Sequence, residues 1–171
     1  MLTIIDPPDE MMPALAKVAV HSFLESHGHS ASAREIEEYV AEKFSLQQLM
    51  KEKHEPGAVF RVALWNGKPA AYSKIVLNRA MKNSDAENIC KMDRLYVLEK
   101  FLKQRIGQSL MDDSLRIARE HGQKGMWLYV WIDNKRAVRF YEREGFKRVG
   151  EEGFRISATH SNPNYIMYRD L

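Results

Sequence analysis

The segment NKRAVRFYEREGF, residues 134–146, follows the apolar run MWLYVWI, residues 126–132, after the single residue Asp133. Asn134 suits the start of a helix, because its side-chain oxygen can accept a hydrogen bond from an orphan backbone N–H group. Gly145 suits the end of that helix, since it adopts the left-handed backbone that terminates helices at little cost. The segment therefore predicts a buried strand, a capped helix and a further strand, with a polar tip where the first strand meets the helix.

A second strand, loop and helix lie upstream of this unit. Residues 91–97 end in β-forming side chains and predict a strand. Apolar residues at helical spacing predict a helix from Ile106 through about His121. The intervening loop carries the cationic Lys100, Lys103 and Arg105. A loop that feeds a helix start supplies convergent N–H groups and the positive end of the helix dipole, so this segment predicts an anion site suited to a pyrophosphate or a 3′-phosphate.

The spacing N-x-x-A-x-x-F-Y-x-x-x-G-F of residues 134–146 resembles the second conserved block of the GCN5-related N-acetyltransferase (GNAT) superfamily. The order of predicted strands and helices is similar to the GNAT fold along nearly the whole chain. The resemblance implies one α/β (α+β) domain over residues 1–171, with a mixed, mostly antiparallel sheet that splays at a β-bulge and has helices on both faces. It also implies acetyl-CoA as cosubstrate.

Residues 102–107 correspond in this resemblance to the family's Gln/Arg-x-x-Gly-x-Gly/Ala loop, which wraps the CoA pyrophosphate. Gly107 matches the pattern, whereas Leu102 replaces the usual Gln or Arg. Arg105 replaces the first Gly, whose missing side chain lets the backbone approach a phosphate closely. Arg105 either contacts a phosphate itself or points into solvent. The implied cofactor contacts in this segment are Lys103, Gln104, Arg105, Ile106, Gly107 and Gln108.

The resemblance implies further cofactor contacts in the two strand-containing blocks. The backbone groups of Leu95, Tyr96 and Val97 are expected to pair with the pantetheine amides where their strand leaves its neighbour. Asn134 and Tyr141 are expected at the acyl end of acetyl-CoA. For Asn134, a role as helix cap alone is the competing interpretation.

Acetyl transfer to an amine needs a neutral nitrogen, whereas an alkylamine with a pKa of about 10.4 is mostly protonated at neutral pH. Some group must therefore accept a proton, directly or through water. Asp93 is the candidate base, and a salt bridge to Arg94 or to a neighbouring strand is the competing interpretation. The resemblance implies that Tyr141 donates to the CoA thiolate, which a phenol can do without a metal.

Within the superfamily the chain most resembles bacterial spermidine/spermine N-acetyltransferases of the PaiA type. Short segments carry this resemblance: residues 39–44, 47–49, 92–97, 127–131 and 165–167. It implies a polyamine substrate. The alternatives are a GNAT enzyme acting on a peptide or protein amine or an antibiotic, and a non-catalytic acyl-CoA-binding regulator.

Several side chains allow both a functional and a structural interpretation. Five glutamates could line an acidic mouth for a polycation, although a solvated helix face is the preferred interpretation for most of them: Glu35, Glu37, Glu38, Glu42 and Glu87. Trp127, Tyr129 and Trp131 alternate with apolar residues, which favours a buried central strand over an aromatic amine cage. The histidines do not assemble into a metal site, and no metal is expected.

Composition narrows the class of protein further. The chain has 171 residues, a net charge of +3 and one cysteine, Cys90. Such a length can bury a sizeable core, and a lone cysteine excludes an intrachain disulfide framework. The mild charge gives no support to nucleic-acid binding, and no apolar run is long enough for a membrane span. With no signal-peptide pattern, a cytoplasmic location is expected, and a homodimer is compatible with the sequence.

The remaining sequence predicts the outer elements. A helix is expected from Asp9 to about Glu25, and residues 32–35 match a capping box. Residues 58–65 and 68–77 predict two strands joined by an Asn66-Gly67 hairpin turn. Residues 78–88 predict a loop. Two final strands are expected at residues 146–149 and 164–169, around a loop containing Pro163.

Overall fold

A seven-stranded sheet organises the computed structural model, which describes residues 1–171. The strand order across the sheet is β1-β2-β3-β4-β5-β7-β6. Every neighbouring pair is antiparallel except β4 and β5, which run parallel. The strands are β1 (Leu2–Ile5), β2 (Ala58–Trp65), β3 (Lys68–Val76), β4 (Ile89–Val97), β5 (Gly125–Trp131), β6 (Lys147–Arg155) and β7 (Ser161–Asp170).

Five α-helices cover the two faces of this sheet. They are α1 (Met12–His27), α2 (Ala33–Lys43), α3 (Leu46–Lys53), α4 (Ile106–Glu120) and α5 (Lys135–Arg143). The first three helices share one buried cluster with residues such as Phe60, Val62 and Tyr72 of the sheet. Helices α4 and α5 bury a second cluster on the opposite face, which includes Met126, Leu128 and Met167. No helix combines the length and the apolar character that crossing a membrane requires.

The parallel strands β4 and β5 are paired only at their beginnings, from Ile89↔Gly125 to Lys91↔Trp127. Beyond those positions the two strands separate. The register of β4 against β3 shifts at the same level, because Lys74 pairs with Arg94 and Ile75 pairs with Met92. Asp93 is thus the extra residue of a β-bulge, which bends the strand away from its neighbour. The expected mixed sheet, splayed at a bulge with helices on both faces, is confirmed.

Local sequence signals correctly predicted several element ends. Ser32 and Glu35 form the reciprocal capping box at the start of α2. Asn66 and Gly67 both have positive φ, of 50° and 78°, and turn β2 into β3. Gly145 has φ 85° and ends α5, with its N–H bonded to the Glu142 carbonyl. The Phe146 N–H reaches the Tyr141 carbonyl at 3.0 Å, which completes a Schellman motif.

Other predicted boundaries were wrong. A short 3₁₀ turn occupies Asp9–Met11, and α1 begins only at Met12. The two final strands are longer than expected, and Pro163 lies inside β7 rather than in a loop. Its carbonyl accepts from the Ile132 N–H, beyond the end of β5. Because N–H and C=O of one residue point to the same side of an antiparallel strand, the missing proline N–H removes no bond from the β6–β7 ladder.

Candidate active site

The separation of β4 from β5 opens a cavity of about 700 Å³. Its first part is here called the loop half, and it is formed by the segment before α4, by the end of β4 and by α5. Its second part is here called the aromatic half, and its walls come from α1, α2, the middle of β4, β5 and β6. The aromatic half is lined by Phe23, His27, Tyr39, Phe44, Tyr129, Trp131 and Phe154.

The loop half presents a run of free backbone donors. The N–H groups of residues 103–108 bond no backbone carbonyl, and no side chain caps α4. Lys103 and Arg105 hold positive φ values of 68° and 58°. Arg105 therefore adopts the left-handed conformation for which glycine is the easiest residue, although it carries a side chain. A Cβ added at Gly107 would meet Val97 at an ordinary contact distance of 3.5 Å.

The structure places most of the expected phosphate-loop residues on the cavity wall. Lys103, Arg105, Ile106, Gly107 and Gln108 line it, whereas Gln104 does not. The Ile106 side chain is buried and anchors the loop to the core, so only its backbone is available to a ligand.

Helix α5 adds two cations to the loop half that the sequence did not reveal. Arg136 and Arg143 both line the cavity. Their separation of seven residues is the same as that of Asn134 and Tyr141, and this spacing places each pair on one helix face. This seven-residue spacing is therefore the sequence signal that would have predicted the two arginines on the same helix face as Asn134 and Tyr141.

Leu95, Tyr96 and Val97 lie where β4 has left β5. Their backbone pairs with β3 on one side, through Ser73, Tyr72 and Ala71 respectively. On the other side β5 is no longer paired, so the edge of β4 faces the cavity with unpaired backbone groups. An extended polar ligand can bind such an edge as an added strand would.

Asn134 is the residue at the N-terminal end of α5, and Tyr141 lies about two turns further along the same helix. The Asn134 side-chain oxygen accepts from the Ala137 N–H at 3.2 Å, so this residue does cap the helix. Tyr141 is 8% exposed and borders the cavity. Burial raises the pKa of its hydroxyl well above the usual value of about 10, so the phenol is neutral at physiological pH.

Asp93 forms two ion pairs. Its carboxylate lies 2.7 Å from the Lys91 ammonium and 3.1 Å from that of Lys74 on the neighbouring strand β3. Although burial opposes the charge, Lys91, Lys74 and Arg94 together hold the pKa of Asp93 far below its usual range. These contacts favour the salt-bridge interpretation over the base, because a carboxylate that is so hard to protonate is a poor proton acceptor.

These ion pairs belong to a larger group, here called the charge cluster: Glu52, Lys74, Lys91, Asp93 and Arg94. Glu52 of α3 accepts from Lys74 at 2.8 Å and from both terminal nitrogens of Arg94, at 2.7 and 3.1 Å. Glu52 and Lys74 are buried, with 6% and 5% of their surface exposed. The cluster joins α3 to the two central strands beside the aromatic half.

His27, one of the histidines that form no metal-site pattern in the sequence, is part of the aromatic wall. Its ring stacks on Phe23 at 4.9 Å and lies 5.7 Å from Trp131. Burial, with a smaller contribution from His29, lowers the pKa of His27 to about 4. Ser26 Oγ lies 2.7 Å from Nδ1 and also reaches the Ser22 carbonyl. If Ser26 donates to that carbonyl and accepts from Nδ1, Nε2 keeps its lone pair.

The sequence did not reveal how the aromatic half is assembled. Lys91 and Arg94 of β4 and Tyr39 of α2 are far apart in the chain and line the same cavity only in the fold. Conversely, none of the five glutamates proposed for an acidic mouth lines the cavity. Trp127 and Trp131 are buried on the central strand β5, as expected. No group of three or more His, Cys, Asp or Glu side chains is arranged to hold a metal ion.

The fold and cavity can be compared with known proteins. Residues 14–146 match the model of the acetyltransferase (GNAT) family. The chain belongs to this family. It is therefore an acetyltransferase with acetyl-CoA as its cosubstrate, and the loop half fits that molecule: free N–H groups and cations suit the phosphates, and the β4 edge suits the amides.

Individual relatives are distant. An uncharacterized N-acetyltransferase of Mycobacterium bovis is 27% identical over 92% of this chain and 96% of that protein. The PaiA N-acetyltransferase of Thermoplasma acidophilum, solved with coenzyme A, superposes with a TM-score of 0.83 over 100% and 99% of the two chains, at 21% identity. The ribosomal-protein-S18-alanine N-acetyltransferase of Escherichia coli gives 0.72 over 99% and 94%, at 17% identity. At these low identities, the two structural similarities show only that the fold is shared.

Proposed function

We propose that this enzyme transfers the acetyl group of acetyl-CoA directly to a primary amine, with Tyr141 as the general acid. The observation that supports this best is the position of the Tyr141 phenol. It is buried and neutral, borders the cavity, and lies on the helix that faces the open edge of β4.

The Tyr141 phenol is proposed to donate to the departing CoA thiolate. The amine lone pair forms a bond to the thioester carbonyl carbon, and the carbon–sulfur bond breaks. The departing thiolate, with a thiol pKa of about 8.5, gains from a proton or a hydrogen bond. A neutral phenol provides either, whereas an ionised one would repel the sulfur.

The cofactor contacts follow from the free backbone groups of the loop half. The N–H groups of residues 103–108 bind the pyrophosphate, with Lys103 and Arg105 as supporting cations. The backbone of Leu95, Tyr96 and Val97 pairs with the pantetheine amides. Asn134 caps α5 with its side-chain oxygen and presents its side-chain amide N–H groups to the same region.

The proton of the incoming ammonium needs an acceptor other than Asp93, whose carboxylate is already engaged by two lysines. Water in the cavity is therefore the acceptor that we propose. His27 also lies on the cavity wall, 6.0 Å from the Tyr96 ring, but burial lowers its pKa to about 4, so its imidazole is a poor proton acceptor for the same reason as Asp93.

Two classes of amine are candidates for the acceptor. Resemblance to the PaiA type, together with the fold of the Thermoplasma acidophilum protein, makes spermidine and spermine the first candidates. A peptide amine is the second, since the Escherichia coli relative of the same fold is named for ribosomal-protein alanine acetylation. The charges that line the aromatic half do not favour a polycation, because its one carboxylate, Asp93, is already paired.

A thiol-release screen tests the proposal. The enzyme is incubated with acetyl-CoA and a panel containing spermidine, spermine, peptides, antibiotics and simple alkylamines. We expect amine-dependent release of CoA at a rate that rises with pH, because only the neutral amine attacks. CoA binding without release on the whole panel would instead identify a non-catalytic acyl-CoA-binding protein.

A further inference from the structure

We infer that the amine acceptor carries a carboxylate, and that Lys91 binds this carboxylate in the aromatic half of the cavity. This inference rests on the proposed function and specifies its substrate class. Two observations support it. The charge cluster contains more cations than carboxylates, and Lys91 is the cation of the cluster that lines the cavity with a single ionic partner.

The charge cluster has one cation more than it has carboxylates. Lys74, Lys91 and Arg94 face only Glu52 and Asp93. The side chains of all five are largely withdrawn from water, with exposures from 6% to 21%. A charge withdrawn from water is costly unless a counter-charge compensates for it. The cluster is therefore set up to receive one further negative charge.

Lys91 is the cluster member that can receive it. Arg94 donates to both oxygens of Glu52, and Lys74 bridges Glu52 and Asp93. Lys91 has a single ionic partner, Asp93 at 2.7 Å, although an ammonium carries three donors. Its side chain lines the cavity, whereas those of Lys74 and Glu52 do not.

Aromatic rings hold the Lys91 ammonium in place at the cavity wall. Its nitrogen lies 5.3 Å from the ring centres of both Trp127 and Tyr129. Tyr129 also lies 6.1 Å from Phe154 across the strands. Tyr129 and Phe154 line the cavity whereas Trp127 does not, so a ligand whose anionic end meets Lys91 would rest its apolar body on Tyr129 and Phe154.

The same wall offers no free carboxylate to a second ammonium. Asp93 is the carboxylate of the aromatic half, and two lysines neutralise it. The other charged groups there are Lys43 and Arg94, both cationic. An acceptor with an anionic tail is therefore attracted, and one with a cationic tail is repelled.

The position of Lys91 sets the spacing between the two ends of the acceptor. Its nitrogen contacts the Asp93 side chain and therefore lies about level with Asp93 along the strand. Asp93 is two residues before Leu95, the first of the three β4 residues whose backbone is proposed to bind the cofactor. Two strand residues span about 7 Å. The amine and carboxylate must therefore be several bonds apart, as in an ω-amino acid or a short peptide, rather than on one carbon as in an α-amino acid.

Three amines of one chain length test this inference: 6-aminohexanoate, hexylamine and 1,6-diaminohexane. Their tails are negative, neutral and positive. We expect kcat/KM for thiol release from acetyl-CoA to be highest for 6-aminohexanoate, by about 10- to 100-fold over hexylamine, as for a charge-assisted hydrogen bond. We expect 1,6-diaminohexane to be the poorest acceptor.

Lys91→Gln should remove the preference for 6-aminohexanoate, so that kcat/KM for this amine falls to about the level of hexylamine in the same variant. This substitution leaves two cations against two carboxylates, so the variant should fold, which its thermal unfolding midpoint checks. Lys91→Arg should retain most of the preference. Lys68→Gln, an exposed lysine in the β2–β3 turn region, is the matched control and should behave like the parent.

Turnover of hexylamine as fast as that of 6-aminohexanoate, or faster turnover of 1,6-diaminohexane, would overturn the inference while leaving the acetyltransferase proposal intact. So would a preference for 6-aminohexanoate that survives Lys91→Gln. Absence of thiol release with these amines and with the whole panel would overturn the proposed function itself, and the inference with it.

Discussion

The two halves of the cavity are built in different ways. The loop half uses one continuous stretch of backbone, residues 103–108, and the adjoining edge of β4. The aromatic half uses side chains that arrive from α1, α2, β4, β5 and β6. Backbone groups are the same whatever the residue, so the first half tolerates sequence change. The second half depends on each side chain, and it is where members of one fold can differ in substrate.

The departures from the family pattern illustrate this tolerance. Leu102 and Arg105 replace residues that the resemblance leads one to expect, yet the chain still turns into α4 with its N–H groups free. Arg105 achieves this by adopting a positive φ. The loop geometry therefore survives the loss of its glycine, at a conformational cost that a glycine would avoid.

The largest effect is expected at Tyr141 of α5, in the loop half of the cavity. Tyr141→Phe keeps the ring packing and removes the hydroxyl, so turnover should fall by about 10²–10⁴-fold, the usual contribution of a general acid. Acetyl-CoA binding should change little. Single-turnover kinetics with a saturating amine would measure the chemical step, and an unchanged rate there would remove Tyr141 from the mechanism.

Much of the loop half could be predicted from the sequence, because its signals are local. A cap residue, a Gly-Phe stop and a helical apolar period lie within a few positions of the features that they specify. The β4 bulge was expected only through the resemblance, since nothing in residues 91–97 alone indicates which residue is left unpaired. The structure shows that this residue is Asp93.

The aromatic half could not be predicted in the same way. In the sequence, nothing distinguishes Lys74 and Glu52 from other charged residues of a strand and a helix. They form a buried ion pair only because α3 packs against the sheet. Asp93 was expected beside the cofactor, but its ionisation depends on two lysines from two strands. Contacts between residues far apart in the chain have no signature in a single sequence.

A stability measurement on the charge cluster would sharpen the comparison. Glu52→Gln leaves Lys74 and Arg94 without their shared carboxylate, so the free energy of unfolding should fall by about 3–5 kcal/mol, as for breaking a buried ion pair. Urea titration measures this loss. Glu38→Gln, which breaks an exposed pair with Arg34 on α2, is the control and should change little. Equal losses in both variants would show that the cluster is no more important than a surface pair.

The pH dependence of stability reports on the same half through His27. Its pKa is about 6.5 in the unfolded chain but about 4 in the fold. Between these values the unfolded chain binds the proton more strongly, so stability is fully present above pH 6.5 and declines as pH falls toward 4. We expect a loss of about 2–3 kcal/mol across that window, because each tenfold difference in proton affinity between the two states corresponds to about 1.4 kcal/mol.

His27→Phe isolates this contribution, because it keeps an aromatic ring on the wall without a titrating nitrogen. Urea unfolding at pH 7, 6 and 5 should show a shallower decline in the variant than in the parent. Parallel declines would assign the pH dependence to other groups.

The smallest effect is expected from Arg105→Gly, which tests whether the loop half depends on backbone alone. Glycine fits the positive φ at this position better than arginine does, so the substitution removes the cation without disturbing the loop. If the guanidinium contacts a phosphate, CoA should bind about two- to fivefold more weakly at low salt, the contribution of an exposed ion pair. The difference should shrink as salt rises, because such charges are screened over about 8 Å at physiological ionic strength.

Calorimetric titration with CoA and with dephospho-CoA measures both effects, since only the former carries the 3′-phosphate. A variant that binds both ligands as tightly as the parent at every salt concentration would show that Arg105 points into solvent and that the free N–H groups bind the phosphates without it.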